Sequence, residues 1–244
     1  MAQLDIEEFL ESGFHLKEHL SKYLKTNLDE IETYLSDGLK SMSDLHPSSL
    51  KTENITSFYE DKVGTAHLFD LAAWHLGSSE YIADTLRLQR MFAHGKVLDF
   101  GGGIGTHSLA ATCVKEVEHV YFVDLNPVNR EFVQERSKEL GLSDSISVHR
   151  DLSSTGNVQF DTVVCLDVLE HLPNPSKQLL EFKKRLSFDA VVLLNWYFFK
   201  GYKGEYPFHF DDPDMIENFF LTLQGNFMEI FHPFLITTRT YRKI

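Results

Sequence analysis

No stretch limits the fold of this chain more than Val97-Leu98-Asp99-Phe100-Gly101-Gly102-Gly103-Ile104-Gly105-Thr106. It begins as a short apolar run, which reads as a buried parallel strand. It then breaks into glycines and resumes as a helical pattern through Leu109, Ala110 and Ala111. A strand, a glycine turn and a helix N-terminus together make a cradle whose backbone N–H groups face a ligand. A Cβ in that turn would hold the ligand off, and the turn calls for positive φ. The dinucleotide fingerprint would need Gly at 101, 103 and 106, but position 106 is Thr. What stands here is Asp-x-Gly-x-Gly-x-Gly, from Asp99 to Gly105.

The chain on either side has two different rhythms. From Lys96 onward strands and helices alternate. His119–Val123 ends at Asp124, Ile146–His149 at Asp151 and Thr162–Leu166 at Asp167; Ala190–Leu194 is the fifth strand. Asn126-Pro127, Asn174-Pro175 and Asp212-Pro213 each pair a capping side chain with proline at the first helical position. These helices are expected to end near Leu140, Leu186 and Gly225. Phe227–Phe231 and Leu235–Tyr241, around His232-Pro233, read as a closing hairpin. The expected fold is α/β: a doubly wound, mainly parallel seven-stranded sheet with a closing antiparallel hairpin.

Residues 1–94 carry helical spacing instead. Ile6, Phe9, Leu10 and Phe14 recur at three and four, as do Ile31, Tyr34, Leu35, Leu39 and Met42, with an N-cap at Thr26-Asn27 or Asp29. His46-Pro47-Ser48-Ser49 predicts a break, followed by helices around 52–60, 66–76 and 79–92. Two units result: a helical lid or substrate segment over 1–94 and a ligand-binding domain over 95–244. The first segment is either a packing appendage or a cover over the open end of the sheet, where ligands of such sheets are closed in.

Composition narrows the partners. Lys and Arg number 23 against 36 acidic residues, a formal charge of −13, which argues against a nucleic-acid partner because phosphate binding leaves a basic footprint. No run reaches the apolar length of a membrane span. Asp5, Glu7, Glu8 and Glu11 stand where a signal peptide would be basic. Cys113 and Cys165 sit in apolar contexts and read as free thiols of a reducing, cytoplasmic setting.

Ligands of open α/β sheets bind beyond the C-terminal ends of the strands. Asp99, Asp124, Asp151 and Asp167 lie at four such ends in succession, with the glycine loop at the first. Asp124 stands where a carboxylate accepts from both ribose hydroxyls of a nucleoside, a placement that dehydrogenases share. The loop from Asp99 to Gly105 resembles motif I of the class I S-adenosylmethionine-dependent methyltransferases. In that resemblance the motif II acid falls on Asp124, with Leu125 beside the adenine. The motif III acid falls on Asp151, followed by Leu152, and motif IV on Phe160 through Pro175. The likeness covers residues 95–200 and implies S-adenosylmethionine as cofactor, held by Asp99, Gly101, Gly103, Gly105, Asp124, Leu125, Asp151, Leu152 and Asp167. It names no acceptor, because the first ninety-odd residues carry most acceptor specificity in this family.

The implied reaction needs an acceptor placed in line and, for some acceptors, a base. His171, in Leu169-Glu170-His171-Leu172-Pro173, His209, in Tyr206-Pro207-Phe208-His209, and Asp167 are the catalytic candidates. Tyr59, His67 and His75 reach in from the helical segment. Trp196 and Tyr197 open an aromatic run suited to an apolar or aromatic acceptor, or to a cation–π contact with an amine. Asp167, Glu170, His171 and His209 mix carboxylate and imidazole, and the segment looks similar to the metal-binding motif of the small-RNA 2′-O-methyltransferases. Those enzymes have Glu where this chain has Asp167, and the expectation here is a metal-free site. The expected activity is methyl transfer to an O or N atom of a small-molecule acceptor. The alternatives are a non-catalytic S-adenosylmethionine-binding module, a metal-dependent O-methyltransferase and, third, a dehydrogenase, which Thr106 and the closing hairpin disfavour.

Overall fold

The structure is a computed structural model that describes residues 5–45 and 55–244. The helical segment holds α1 (Ile6–Ser12), α2 (Leu16–Leu24), α3 (Leu28–Asp44), α4 (Ile55–Asp61), α5 (Gly64–Gly77) and α6 (Ser79–Phe92). Asp5 caps α1 by accepting from Glu8 N–H at 2.9 Å, and Asn27 caps α3 by accepting from Glu30 N–H at 2.9 Å. The break expected at His46-Pro47-Ser48-Ser49 lies outside the described residues, as does the beginning of the stretch expected from Thr52.

The sheet follows the expected plan. Its strands are β1 (Gly95–Phe100), β2 (Val117–Val123), β3 (Ile146–His149), β4 (Phe160–Cys165), β5 (Leu186–Leu194), β6 (Phe227–Ile230) and β7 (Arg239–Lys243). They lie in the order β3-β2-β1-β4-β5-β7-β6, and β1 to β5 pair in parallel. β7 runs antiparallel between β5 and β6, so the hairpin closes one edge. α7 (Thr106–Ala111), α8 (Pro127–Glu139), α9 (Pro175–Arg185) and α10 (Pro213–Asn226) complete the winding.

Several element ends differ from expectation; β4, for one, runs Phe160–Cys165 where Thr162–Leu166 was expected. β2 starts two residues earlier, at Val117. α9 stops at Arg185, because Leu186 pairs with Phe160 across an irregular register and opens β5 ahead of Ala190. The second arm of the hairpin begins only at Arg239: Phe231 and Leu235 stand in solvent around Pro233, and no pairing reaches them.

Both faces of the sheet are buried, as parallel pairing demands. Leu98, Val163, Phe160 and Val192 pack with Leu179 and Phe182 of α9 and Phe219 of α10. Val97, Val120 and Phe122 pack with Leu109 of α7, Ile82 and Leu86 of α6, and Phe9 of α1. A third cluster joins Leu16, Leu20, Ile31, Leu68 and Ala72 of the N-terminal helices to Ile104 and Phe132, so this segment is seated on α8 and on the glycine loop.

Arg136 of α8 fixes that seating. Fully buried, it donates to the carbonyl oxygens of Gly13, Phe14 and Ile104 at 2.9–3.0 Å and to Nδ1 of His19 at 3.2 Å. Burial without a paired carboxylate pulls its pKa down to about 9. Two of these carbonyls belong to the α1–α2 corner, where Gly13, Phe14 and His15 all have positive φ, and the third to the glycine loop.

The register sets the strand ends abreast. Asp99 stands opposite Phe122 and Val164, Val123 opposite His149, and Cys165 opposite Leu194. Gly101, Asp124, Asp167 and Asn195 therefore follow at one end of the sheet.

Candidate active site

The glycine loop has the backbone that its composition requires. Gly101 and Gly103 have φ of 72° and 56°, where an L side chain is strained. A Cβ on Gly101 would collide with Val168, just past β4. One on Gly103 would stand 2.8 Å from Cδ1 of Leu71 in α5. Gly105, also at positive φ, is the N-cap of α7. Asp99 accepts from Ser108 Oγ at 2.6 Å and so ties the end of β1 to α7.

Asp124 is buried against this loop. Its Oδ2 accepts from Gly103 N–H at 2.9 Å, and its Oδ1 from Asn126 N–H at 2.8 Å and Asn129 Nδ2 at 3.4 Å. Each carboxylate oxygen accepts twice, so capacity remains on Oδ2. Burial pushes the acid up to about 6, opposed by those N–H bonds and by Arg130, which donates to the carbonyls of Asp124 and Leu125. Asp151 is engaged locally. It accepts from Ser153 Oγ and Ser154 N–H, closing a capping box on the 3-10 turn Leu152–Thr155, and pairs with Arg150 at 2.8 Å.

A second group of side chains follows β4 and β5. Asp167 has φ of 54°, held by a reciprocal pair of bonds: its N–H donates to Asn195 Oδ1 at 2.5 Å, and its Oδ1 accepts from Asn195 Nδ2 at 2.9 Å. Burial raises Asp167 to about 6. Glu170, 1% exposed, accepts from Tyr197 N–H at 3.1 Å through Oε1, while its buried Oε2 has no hydrogen-bond partner. Burial, then the neighbouring Asp167, pushes Glu170 up to about 8. His171 and His209 meet edge to face with ring centroids 4.8 Å apart. Each turns Nδ1 to a backbone carbonyl, His171 to Phe208 at 3.2 Å and His209 to Phe199 at 3.1 Å. Burial lowers both, His171 to about 3, so neither is charged at neutral pH.

The N-terminal helices bring Tyr59, His67 and His75 to the same end of the sheet. Tyr59 O–H lies 3.3 Å from His171 Nδ1, and its ring meets that of His67 at 5.5 Å. His67 Nδ1 is 3.3 Å from Asn129 Nδ2, beside Asp124. His75 Nδ1 lies 2.9 Å from Thr106 Oγ1 at the start of α7. Burial holds His67 near 4 and His75 near 3 and raises the Tyr59 hydroxyl. Phe58 stacks on Phe208 at 5.5 Å, so α4 meets the loop that carries His209.

Trp196 and Tyr197 part company. Trp196 packs edge-on against Phe219 and Phe220 of α10, while Tyr197 faces His209 at 5.8 Å and Tyr206 at 5.4 Å. Asn195, Asn129 and Arg130 belong to the site without standing in any of its sequence motifs. Asn195 alone left a signal, as the polar residue at the very end of an apolar strand.

The family model for the methyltransferase domain matches residues 73–198, which span β1 to β5. The chain belongs to this family: it is a class I S-adenosylmethionine-dependent methyltransferase, and S-adenosylmethionine is its cofactor. The cradle fits such a cofactor, since its glycines take the positive φ of a tight turn packed on Val168, Leu71 and Val133, and Asp124 keeps an open acceptor beside it. No curated protein matches the sequence.

Solved structures share the fold. Geranyl diphosphate C-methyltransferase from Streptomyces coelicolor A3(2), in complex with Mg2+, geranyl diphosphate and S-adenosyl-L-homocysteine, is 12% identical. The match covers 76% of this chain and 82% of that one, with a TM-score of 0.56. A protein described as an rRNA-methylase from Clostridium thermocellum is 15% identical over 67% of this chain and 97% of its own, with a TM-score of 0.50. The [4+2]-cyclase SpnF is also 15% identical, over 64% and 60%, with a TM-score of 0.51. No helix among the described residues is long and apolar enough to cross a membrane.

Proposed function

We propose that this protein transfers the methyl group of S-adenosylmethionine to an oxygen or nitrogen of a small-molecule acceptor. The observation that carries the reading is one line of contacts from cradle to histidine pair. Asp124 touches Asn129, Asn129 touches His67, His67 touches Tyr59, Tyr59 touches His171, and His171 touches His209. All but the first two come from separate segments, and the N-terminal helices roof them. A site roofed by helices suits a small ligand better than a polynucleotide. A formal charge of −13 supports the same choice.

In this reading Asp124 accepts from the ribose hydroxyls, and Leu125 and Leu152 flank the adenine. Asp151 shapes the turn that presents Leu152. Gly101, Gly103 and Gly105 let backbone N–H groups approach the amino-acid end of the cofactor, and Asp99 steadies the loop through Ser108. When bound, S-adenosylmethionine supplies a sulfonium methyl, an electrophile for in-line displacement. Asp167, braced by Asn195, faces the acceptor. His171 and His209, held neutral by burial, each offer Nε2 to a proton that the acceptor loses. Tyr59, His75 and Tyr197 border the acceptor, with Trp196 behind Tyr197. The segment 1–94 acts as a lid over the domain 95–244. The free thiols Cys113 and Cys165 fit a cytoplasmic setting.

The test is turnover. The protein, S-adenosylmethionine and single acceptors are incubated, and S-adenosylhomocysteine is quantified by mass spectrometry. Phenols, other hydroxylated molecules, amines and a ribosomal-RNA transcript make up the acceptors. Product above the acceptor-free background with a phenol, alcohol or amine is expected. Turnover with the transcript alone would overturn the small-molecule reading. Tight cofactor binding with no turnover on any acceptor would identify a non-catalytic binding module.

A further inference from the structure

Glu170, His171 and His209 each offer a ligating atom, and these three atoms lie within 4.8 Å of one another. Three features mark them as more than a chance cluster. Glu170 is buried, yet its Oε2 has no hydrogen-bond partner, and a buried carboxylate oxygen left so is costly. Both histidines direct Nδ1 to backbone carbonyls, which fixes the tautomer with a lone pair on Nε2. That is the orientation a metal-ligating imidazole takes, with its other N–H anchored to an acceptor. The cluster is also held from two sides: Phe210 N–H donates to the Glu170 carbonyl at 2.8 Å, and Tyr197 N–H to its Oε1. The His209 loop is thereby fastened to the Glu170-His171 segment.

We propose that Glu170 Oε2, His171 Nε2 and His209 Nε2 form a three-ligand site for a divalent first-row transition ion of the zinc type, with further coordination positions open. Ligands at about 2.1 Å from one tetrahedral ion stand about 3.4 Å apart, so small side-chain rotations close the set. Two imidazoles and one carboxylate select this class of ion over Mg2+ or Ca2+, which favour all-oxygen shells. Asp167 is no part of the site, because Asn195 holds it through both its N–H and its carboxylate. The metal-free expectation rested on Asp167 as a ligand in place of Glu; the geometry replaces it with a set that does not use it. With the ion bound, Nε2 of His171 and His209 is no longer free to take a proton; an acceptor oxygen bound to the ion would be ionised by it instead, a consequence that rests on the proposed function.

Binding itself is tested with neither methyl donor nor acceptor, so its failure is distinct from failure of methyl transfer. The full-length protein, stripped with chelator, is titrated with Co2+, then with Zn2+ in competition, while visible absorption and metal content after gel filtration are followed. One equivalent of Co2+ with the visible bands of a low-symmetry N/O site, displaced by one equivalent of Zn2+, is expected. His209→Ala and Glu170→Gln should each weaken binding at least tenfold, and Asp167→Asn should leave it unchanged. No saturable Co2+ signal in the wild-type protein would overturn the site, and that measurement needs no variant to fold. Equal retention of metal by wild type, His209→Ala and Glu170→Gln would place the ion elsewhere and would overturn it as well.

Discussion

A Gly103→Val protein is expected to lose binding of S-adenosylmethionine by at least a hundredfold while retaining its sheet. At φ of 56° a β-branched residue carries backbone strain of about 1–2 kcal/mol. Its first side-chain carbon would also press on Leu71 of α5. The loop then has to shift, and with it the Gly103 N–H that donates to Asp124. The core clusters beneath involve Leu98, Val163 and Phe182 on one face and Val97 and Leu109 on the other, and none depends on Gly103. Calorimetric titration, with circular dichroism as the check on folding, reads the result. Wild-type affinity in folded Gly103→Val protein would mean that the cofactor does not lie against this loop. Gly103→Ala, with less bulk at the same φ, should fall between the two.

Replacing Asp124 by Ala is expected to weaken cofactor binding at least tenfold, because a charge-assisted hydrogen bond from the ribose to the acceptor position left on Oδ2, worth about 1.5–3 kcal/mol, would be lost. The same residue gives the binding a pH dependence of known sign. Burial raises Asp124 to about 6 in the free protein, while donation from ribose hydroxyls favours the ionised carboxylate. Affinity should therefore be full above pH 6 and fall as the pH drops below it, approaching about tenfold per unit. Asp124→Asn, which does not titrate, should be weak and flat over the same range. Asp99 and Asp167, also raised to about 6 by burial, remain in that variant, so a persisting slope would assign the titration to one of these two. An unchanged dissociation constant in Asp124→Ala would move the ribose away from this carboxylate.

Much of this was legible in the sequence for physical reasons. Parallel strands buried on both faces read as apolar runs, and a turn that needs positive φ reads as glycine. β1, β2 and β4 and the loop from Gly101 to Gly105 were therefore visible in their residues. Asn-Pro and Asp-Pro pairs marked the starts of α8, α9 and α10 because the cap and the first helical position have distinct chemistry. Side-chain direction was not legible in irregular chain. After β5 the backbone follows no period, so nothing in Trp196-Tyr197 foretold that one ring would turn to α10 and the other to His209. Asn195 could not be told from an ordinary strand terminus, since its role depends on the left-handed backbone of Asp167 across the sheet. The joining of His209 to Glu170-His171 arises from the fold of the intervening loop, which sequence spacing does not encode.

The central claim is that the glycine loop and Asp124 hold the cofactor, with its reactive end toward Asp167 and the histidine pair. A crystal structure with S-adenosylhomocysteine tests this most directly. The ribose hydroxyls are expected on Asp124, the adenine between Leu125 and Leu152, and the sulfur facing Asp167 and His171. A nucleoside bound away from Asp124 and the Gly101–Gly105 turn, or a cradle that stays empty at saturating ligand, would contradict it.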